Sequence, residues 1–307
     1  MMLLEERNNA MKKMLLILAL LTVLLASCSA FSENAIPTVK FKSLTVPVDA
    51  EAIDLGRVVV NIDEDAKFFN FLQSLPNLKR VDMYNTPLIR RRITNYALSF
   101  PNIEFGWTMT FNYHEVRTDD TAFSTRHGSN SSRHTEEDFS ILKYCKNLQA
   151  LDIGHNAVKD LSFLRDLPHL KVLILVDNQF RDISPLADLH ELQYLELFYN
   201  DVRDVSALAQ LDNLVDLNIC YNRIPDLTPL YGLTNLRRLW IYNSNDHNPS
   251  HLLDPNAVAA LREALPDTYI DSVSSSVEGG WREHPHFYAI QRMFAKEGRY
   301  EPFEDVE

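Results

Sequence analysis

The sequence predicts an α/β repeat solenoid, a stack of similar units that each contain one short strand and one helical turn. Leucine recurs every 22 residues in two series, and asparagine recurs with the same step. The positions are Leu148, Leu170, Leu192, Leu214 and Leu236, then Leu151, Leu173, Leu195, Leu217 and Leu239, then Asn156, Asn178, Asn200 and Asn222, with Ser244 next. A fixed period of this length indicates stacked units whose leucines are buried only when neighbours meet.

The first half of each unit predicts a short strand. Leu173 alternates with Leu175, and Leu195 alternates with Leu197, which is the period of a strand with one buried face. The asparagine that follows can satisfy backbone groups left unpaired where the chain bends away from the strand.

The second half of each unit predicts a short helical turn. Serine or threonine stands at one phase as a candidate N-cap, and Pro185 and Pro229 follow it at a position where a missing N–H is harmless. An aspartate precedes each cap, at Asp160, Asp182, Asp204 and Asp226. We interpret these aspartates as hydrogen-bonding their own turns, in preference to a calcium strip.

These units resemble the leucine-rich repeat superfamily, and within it the 22-residue internalin-like class, whose consensus includes N-x-I-x-D-I-[ST]-P-L. The matching segment here is Asn178–Leu186, and the regular match covers about residues 142–245. The resemblance implies a right-handed superhelix with parallel strands on the concave face and helical or 3-10 turns on the convex face. It also implies ligand binding as the usual function.

The N-terminus predicts export and lipid anchoring. Lys12 and Lys13 precede an apolar run from Met14 to Leu25, which is too short to span a bilayer and is typical of a signal peptide. The Leu25–Cys28 segment resembles a bacterial lipobox, which implies diacylglyceryl attachment at Cys28 and an extracytoplasmic, surface location. An ordinary secreted protein with a chance cysteine is the alternative.

The composition bears on partners and on disulfides. The formal net charge is −12, and residues 1–27 contribute +1, so the remainder carries −13. This net negative charge argues against nucleic acid or anionic lipid as the partner. We therefore expect the protein to contact a membrane only through its lipid anchor. Cys145 falls in a core column and Cys220 on the exposed side of its strand, so we expect no disulfide between them.

Six segments are predicted along the chain. They are a signal peptide at 1–27 with its true start at Met11, a lipid-anchored tether at 28–49, irregular N-terminal repeats at 50–111, a polar insertion at 112–135, regular repeats at 136–250, and a C-terminal cap at 251–307. At the end of the insertion, Thr135 with Asp138 predicts a capping box that opens the next helix. In the cap, Phe287, Ile290, Met293 and Phe294 have helical spacing, and we expect Trp281 to be packed.

A binding patch is predicted on the concave face of the last three repeats. Strand positions between the core leucines concentrate aromatic side chains there, with acidic, amide and guanidinium groups among them. The candidate residues are Tyr194, Glu196, Phe198, Tyr199, Asp216, Asn218, Tyr221, Arg238, Trp240 and Tyr242. Exposed strands favour aromatics in any case, but tyrosine and tryptophan with a polar rim are typical of binding hot spots.

The sequence therefore predicts a non-enzymatic protein whose partner is another protein. A glycan or cell-wall ligand is the alternative, because stacked tyrosine and tryptophan also hold sugar rings. An enzyme with a site in the 112–135 insertion and the tail, using His127 or Asp119, is a third hypothesis from a different class. The common enzyme, metal and nucleotide motifs are missing, and no cofactor is expected.

Overall fold

The computed structural model describes residues 36–111, 113–125, 133–243, 253–274, 279–295 and 298–303. The predicted signal peptide, Cys28, His127 and Ser244 lie outside these residues. The described chain divides into two units, the first containing residues 36–53 and 60–79 and the second containing 54–59 and 80–303. None of the helices in these ranges combines the length and the apolarity that crossing a bilayer requires.

The first unit is a hairpin with a helix. Strands β1 (Thr38–Phe41) and β2 (Leu44–Pro47) pair antiparallel, and helix α1 (Asp65–Gln73) follows a 3-10 turn at Ile62–Glu64. Phe41 packs on Phe68 of α1, with 4.9 Å between the ring centroids. The tether predicted for residues 28–49 therefore does not extend through the hairpin. Strand β3 (Ala52–Asp54) falls across the division between the units.

The second unit opens with a small mixed group of strands. Strands β4 (Arg80–Leu88) and β5 (Glu104–Phe111) are parallel and flank helix α2 (Arg90–Ser99). Strand β6 (His114–Arg117) then pairs antiparallel with β5. These strands belong to a different sheet from the regular repeats, so the stack is interrupted at β6. The predicted irregular repeats at 50–111 are therefore not continuous with the later ones.

The regular repeats build a seven-stranded parallel sheet. Its strands are β7 (Ala122–Ser124), β8 (Ala150–Asp152), β9 (Val172–Ile174), β10 (Tyr194–Glu196), β11 (Asp216–Asn218), β12 (Arg238–Trp240) and β13 (Tyr269–Asp271), paired in chain order. Strands β8 to β12 pair in a register of 22 residues, as in Tyr194 opposite Asp216. Strands β6 and β7 both fall inside the predicted insertion, so its residues 113–125 are not a polar loop.

The other side of the stack consists of short turns. Helix α3 (Glu136–Phe139) leads into the first 3-10 turn, and Thr135 and Asp138 form the predicted capping box there. The 3-10 turns lie at Ser140–Tyr144, Ser162–Asp166, Ser184–Leu186, Ser206–Leu208 and Thr228–Leu230. In each of the last four turns the first backbone N–H is bonded to the preceding aspartate, as Ser184 to Asp182 at 2.8 Å. The aspartates therefore cap their own turns, and the serine or threonine is the first helical residue.

The asparagines form a single file along the carboxyl ends of the parallel strands, with one asparagine in each layer. Each side-chain amide donates to backbone carbonyls of its own layer, and from Asn178 onward also to the layer before, as Asn222 Nδ2 does to Leu197 O at 3.0 Å. Each carbonyl oxygen accepts a backbone N–H from the preceding layer. The last member is Asn243, which accepts from Asn222 N at 3.1 Å. The member of the file that follows Asn222 is therefore Asn243, one residue earlier than the predicted position of Ser244.

The chain after the last regular repeat has two parts. Helix α4 (Pro255–Ala264) and strand β13 add one more layer at the end of the stack, with Asp254 capping the helix. Helix α5 (Pro285–Ala295) and residues 298–303 instead return along the strands to β7, where Gly298 O accepts from Thr121 N and Ala122 N at 2.8 Å. We call residues 279–295 and 298–303 the C-terminal strap.

Candidate functional site

The C-terminal strap covers the sheet face that was predicted to be concave and open, which we call the strand face. Trp281, Ile290, Met293 and Phe303 of the strap are fully buried against it. They contact a row of apolar strand residues that runs from β7 to β12, namely Ala122, Ala150, Val172, Ile174, Val176, Tyr194, Phe198, Cys220 and Trp240. The strand face is therefore the inner wall of a second hydrophobic core.

Aromatic contacts join the strap to the predicted patch. The Trp281 ring centroid lies 5.4 Å from that of Tyr194 and 5.2 Å from that of Trp240. Phe303 meets Tyr194 edge-on at 6.0 Å. The space left beside α5 along β8 to β10 is about 20 Å³, which admits about one water molecule. Helix α5 therefore leaves little free space against these strands.

A buried polar network connects the same elements. Asp216 Oδ1 accepts from Arg238 Nε at 2.7 Å, and Asp216 Oδ2 lies 2.6 Å from His286 Nδ1 of the strap. Arg238 also donates to the Trp281 carbonyl at 3.3 Å and faces the Trp281 ring at 4.6 Å. Burial alone would raise the pKa of Asp216, but the hydrogen bonds from His286 and Arg238 outweigh it and hold that pKa below its ordinary value.

Glu196 is held in a second part of this network. Its carboxylate accepts from the Trp281 indole N–H at 3.1 Å and from the Tyr194 hydroxyl. Burial raises the pKa of Glu196, although both hydrogen bonds oppose that effect. These groups bind the strap, and the side chains of Glu196, Asp216 and Arg238 are at most 6% exposed.

The prediction that the whole aromatic patch is exposed is wrong for seven of its ten members. Tyr194, Glu196, Phe198, Asp216, Asn218, Arg238 and Trp240 are each at most 6% exposed. Cys220 was also expected on an exposed side and is buried, and its pKa rises to about 12 because of that burial. The repeat phase correctly gave the face on which these side chains lie. The repeat phase could not predict that the C-terminal strap, which lies far along the chain, covers that face.

The three remaining members form a row at the border of the strand face, where Tyr221 and Tyr242 pack partly against the covered core. Tyr199 is 42% exposed, and Tyr221 and Tyr242 are partly buried. The rings of Tyr199 and Tyr221 stack with centroids 4.3 Å apart, and Tyr242 meets Tyr221 edge-on at 5.5 Å. Burial and the neighbouring Tyr199 raise the pKa of Tyr221 to about 12, so its hydroxyl stays protonated and can donate at neutral pH. We call these three residues the tyrosine row.

Polar groups continue the same border through the earlier layers. Asp177 Oδ2 lies 3.0 Å from His155 Nδ1 and 3.3 Å from Arg133 Nη2. His155, Asp177, Tyr199 and Tyr221 occupy equivalent repeat positions, and each has a positive φ between 51° and 59°. This left-handed conformation disfavours most side chains with a Cβ, and here it repeats in four successive layers. The border therefore combines exposed aromatic rings, an ion-pair group and a strained backbone.

A separate open cleft lies where the predicted insertion meets the tail. Its volume is about 900 Å³, and Tyr84, Arg117, Asp119, Ser124 and Tyr300 are among the residues that line it. Asp119 accepts from Arg117 Nε and Nη2, each at 2.8 Å, and this pairing holds its pKa below the ordinary value. Residues of the predicted insertion, among them Asp119, and residues of the tail line this cleft together.

The described residues offer little for metal chemistry. They contain no cluster of three or more histidine, cysteine or acidic side chains arranged to hold an ion. Cys145 and Cys220 are free buried thiols, consistent with the expectation that they are not joined.

Comparisons with known proteins identify the repeat. Residues 146–188 match the family model for leucine-rich repeats, in two copies. With the seven parallel strands, this match confirms the predicted fold class, a leucine-rich repeat solenoid. No curated protein matches the chain.

Several solved structures are similar to the chain at low identity. An internalin from Listeria monocytogenes is 23% identical with a TM-score of 0.31, and the match covers 42% of each chain. Internalin C2 from the same species is 23% identical over 68% of this chain and 70% of that one, with a TM-score of 0.34. A leucine-rich repeat protein of Leptospira interrogans is 15% identical over 70% and 82%, with a TM-score of 0.31.

Proposed function

We propose that this leucine-rich repeat protein is a non-enzymatic binding protein, that its partner is another protein, and that the tyrosine row makes the contact. The observation that carries the proposal is the row of ring contacts at the border, in which Tyr199 stacks on Tyr221 and Tyr242 meets Tyr221 edge-on. The strap fills the rest of the strand face, so the border is the part of the predicted patch that a partner can reach.

The chemistry of the border suits a protein surface. Tyrosine rings supply broad contact area with few rotatable bonds, and their hydroxyls can donate or accept at the rim. The neighbouring group of Arg133, Asp177 and His155 supplies charges of both signs within one hydrogen-bonded cluster. Arginine and tyrosine are enriched at the centres of protein interfaces.

The backbone at the row supports a role beyond folding. A left-handed residue is most stable as glycine or asparagine, yet Tyr199 and Tyr221 stand there with φ of 57° and 52°. Such strain costs about 1 kcal/mol or more at each position and persists where function retains it.

The location we propose is the outer surface of a bacterial membrane. Cys28 in its lipobox-like setting would carry the lipid, and the chain after residue 27 would then project from the membrane. A Cys28→Ser change should move the protein from the membrane fraction to the soluble fraction without altering its circular dichroism. Continued sedimentation with membranes would contradict the anchor.

The test of the row is site-specific photocrosslinking. A chain carrying p-benzoylphenylalanine at Tyr199 is irradiated in bacterial and host-cell lysates, and adducts are identified by mass spectrometry. The matched control carries the same group at Tyr288, which is 51% exposed on the strap helix α5. The proposal expects one protein adduct from position 199 that is missing from position 288.

Substitution then separates binding from folding. Tyr199→Asn with Tyr221→Asn removes both rings while placing a residue that tolerates the left-handed conformation. The double variant should still unfold cooperatively in urea, and it should lose the partner in a pull-down by at least about tenfold, equivalent to about 1.4 kcal/mol. Undiminished capture by the folded double variant would remove the tyrosine row from the proposal.

A glycan is the second candidate ligand, and the 900 Å³ cleft favours it. There the Arg117 guanidinium stacks 3.9 Å from the Tyr84 ring centroid, beside the exposed Tyr113 and next to Asp119. Flat rings beside paired charged groups are suited to sugar faces and hydroxyls. A glycan array probed with the wild-type chain and with Tyr84→Ala tests glycan binding in this cleft. Equal binding of both proteins to the same glycans would contradict this site.

A further inference from the structure

A second open cleft lies on the side of the stack that carries the turns. It has a volume of about 630 Å³ and separates helix α2 from α3 and the 3-10 turn at Ser140–Tyr144. In the regular repeats, the 3-10 turns of neighbouring layers contact one another. Helix α2 precedes the interruption at β6, so the cleft lies where this regular packing begins. Its volume is in the range of small-molecule sites.

Cationic side chains line this cleft, which we call the α2 cleft, from two separate elements. Arg90 and Arg91 come from the start of α2, and Lys143 comes from the 3-10 turn. Glu137 is the single carboxylate in the lining, and Arg90 neutralises it, with 2.7 Å between Nη1 and Oε1. Arg91 and Lys143 make no ion pair with any residue that the structure describes. The cleft therefore keeps two uncompensated positive charges.

The other acidic residues of α3 do not cancel these charges. Glu136 accepts from the backbone N–H of Lys159 at 3.1 Å, and Asp138 accepts from that of Thr135 at 3.0 Å. Both carboxylates are thus engaged with the backbone of α3 or of the next layer, and neither lines the α2 cleft.

The arginines of α2 stand where they are unfavourable for the helix itself. Helix α2 begins with three consecutive arginines and has no acidic residue in its first turn. The helix dipole leaves partial positive charge at an N-terminus, so cations there are destabilising. Helix α3 follows the ordinary rule and begins with acidic residues. On a chain of net charge −12, composition does not explain this placement, and such departures from a local rule are expected at functional sites.

The rest of the lining adds an apolar wall. Ala97, Leu98 and Tyr144 contribute to it, and Leu98 is 76% exposed although it is a large apolar side chain. Lys143 Nζ lies 5.3 Å from the centroid of the Tyr144 ring, so the cationic and apolar parts of the cleft adjoin. Burial raises the pKa of Tyr144, so its hydroxyl stays protonated at neutral pH. The cleft therefore combines a place for an anion with a place for an organic group.

We propose that the α2 cleft binds a small organic phosphate monoester, with the phosphate at Arg91 and Lys143 and the organic group against Leu98 and Tyr144. A phosphate monoester carries about two negative charges at neutral pH, which matches the two uncompensated cations. The planar guanidinium of an arginine can bond two phosphate oxygens at once. This site is independent of the tyrosine row, and neither proposal depends on the other.

The test titrates phenyl phosphate calorimetrically into the full-length protein, with inorganic phosphate and phenol as counterparts that lack the organic group or the charge. We expect saturable 1:1 binding of phenyl phosphate that is at least about tenfold tighter than that of either counterpart. Added salt should weaken it, because the cations that hold the phosphate are accessible to solvent ions.

Arg91→Glu separates binding from folding. It reverses a charge in the cleft, so it should weaken phenyl phosphate by at least about tenfold. It also places an acidic residue at the favourable end of α2, so the Tm should stay the same or rise. The matched control is Arg203→Glu, which changes an exposed arginine of the regular repeats and should leave the affinity unchanged.

Two further variants keep the proposal decidable if Arg91→Glu fails to fold. Lys143→Gln acts from the opposite wall and should weaken phenyl phosphate about fivefold. Leu98→Ala should weaken phenyl phosphate about threefold and leave inorganic phosphate unchanged. Three results would overturn the proposal: no saturable binding of phenyl phosphate to the wild type, equal affinity for inorganic phosphate, or full affinity in the folded Arg91→Glu or Lys143→Gln variant.

Discussion

Phe198 and Tyr199 are adjacent in the chain, but one side chain is buried and the other is exposed. Phe198 is 3% exposed beneath the strap, whereas Tyr199 is 42% exposed at the border. Their repeat positions differ by one residue, and the left-handed backbone at Tyr199 directs the second ring away from the covered core. The two positions therefore differ in what they can contact. One supplies an internal contact for the protein's own tail, and the other supplies an external surface.

The same contrast extends to the charged groups. Asp216 and Arg238 are buried and locked by His286, while Asp177 and its partners at the border remain accessible. A buried network contributes to the specificity of strap docking, and an exposed one contributes little to stability and is free to meet a partner. Changes to the two groups should therefore act on different measurements.

The largest expected change in stability comes from a substitution in the C-terminal strap. Trp281→Ala removes the ring that contacts Tyr194 and Trp240, and it should lower the free energy of unfolding by about 3–5 kcal/mol. Urea denaturation measures it, with Tyr288→Ala on the exposed side of the strap as the control, expected within about 0.5 kcal/mol. Cys220 should also become reactive to thiol reagents sooner, while buried Cys145 remains protected. A loss under about 1 kcal/mol would mean that the strap is not an integral part of the core.

The next effect concerns the buried carboxylate. Asp216→Asn leaves the Arg238 charge buried without its counterion and should cost about 3 kcal/mol at pH 7. Asp201→Asn is the matched control, because Asp201 pairs with Arg181 and Arg223 at the surface and should cost less than about 1 kcal/mol.

The pH dependence of that difference follows from the lowered pKa of Asp216. Its stabilisation is present above the ordinary aspartate pKa of 3.8 and is lost as the pH falls through the lower folded value. The difference in free energy of unfolding between the wild type and Asp216→Asn should therefore become smaller below about pH 4. A gap that stays constant down to pH 2 would contradict the assignment.

A smaller effect should come from His284, which neighbours His286 with ring centroids 4.3 Å apart. Burial, aided by the Arg238 charge, lowers the pKa of His284 from 6.5 to about 4. The unfolded chain then binds the proton first, so stability falls as the pH drops from 6.5 towards 4. Because this imidazole is partly exposed, we expect a loss on the order of 1 kcal/mol. His284→Gln should remove this part of the acid sensitivity in urea titrations at pH 7 and pH 4.5.

Much of the fold could be predicted because its causes are local and periodic. The 22-residue step places Asn178 in the file, Asp182 at its turn and Cys145 in the core, and neighbouring layers repeat the same contacts. The end of the chain follows no period. Its apolar spacing at Ile290 and Met293 predicts a helix that needs a partner, but not which surface supplies it.

The exposure of the patch could not be predicted for the same reason. Glu196 and Trp281 are 85 residues apart, and no repeat relates them. One signal was present in the sequence, because Asp216 and Arg238 occupy the same position in adjacent layers and carry opposite charges. A charge pair of this kind beside aromatic residues is consistent with a buried contact as well as a binding site.

The smallest expected effect tests the backbone at the border. At Tyr199, asparagine should be more stable than alanine by about 0.5–1 kcal/mol, because asparagine tolerates a φ of 57° better. Comparing the two substitutions with each other cancels the loss of the ring stack with Tyr221, which both share. The same pair of substitutions at Arg181, an exposed position outside the left-handed region, should favour neither residue by that margin. If alanine were as stable as asparagine at Tyr199, the border would carry no strain, and only the ring contacts would support a functional reason for tyrosine at that position.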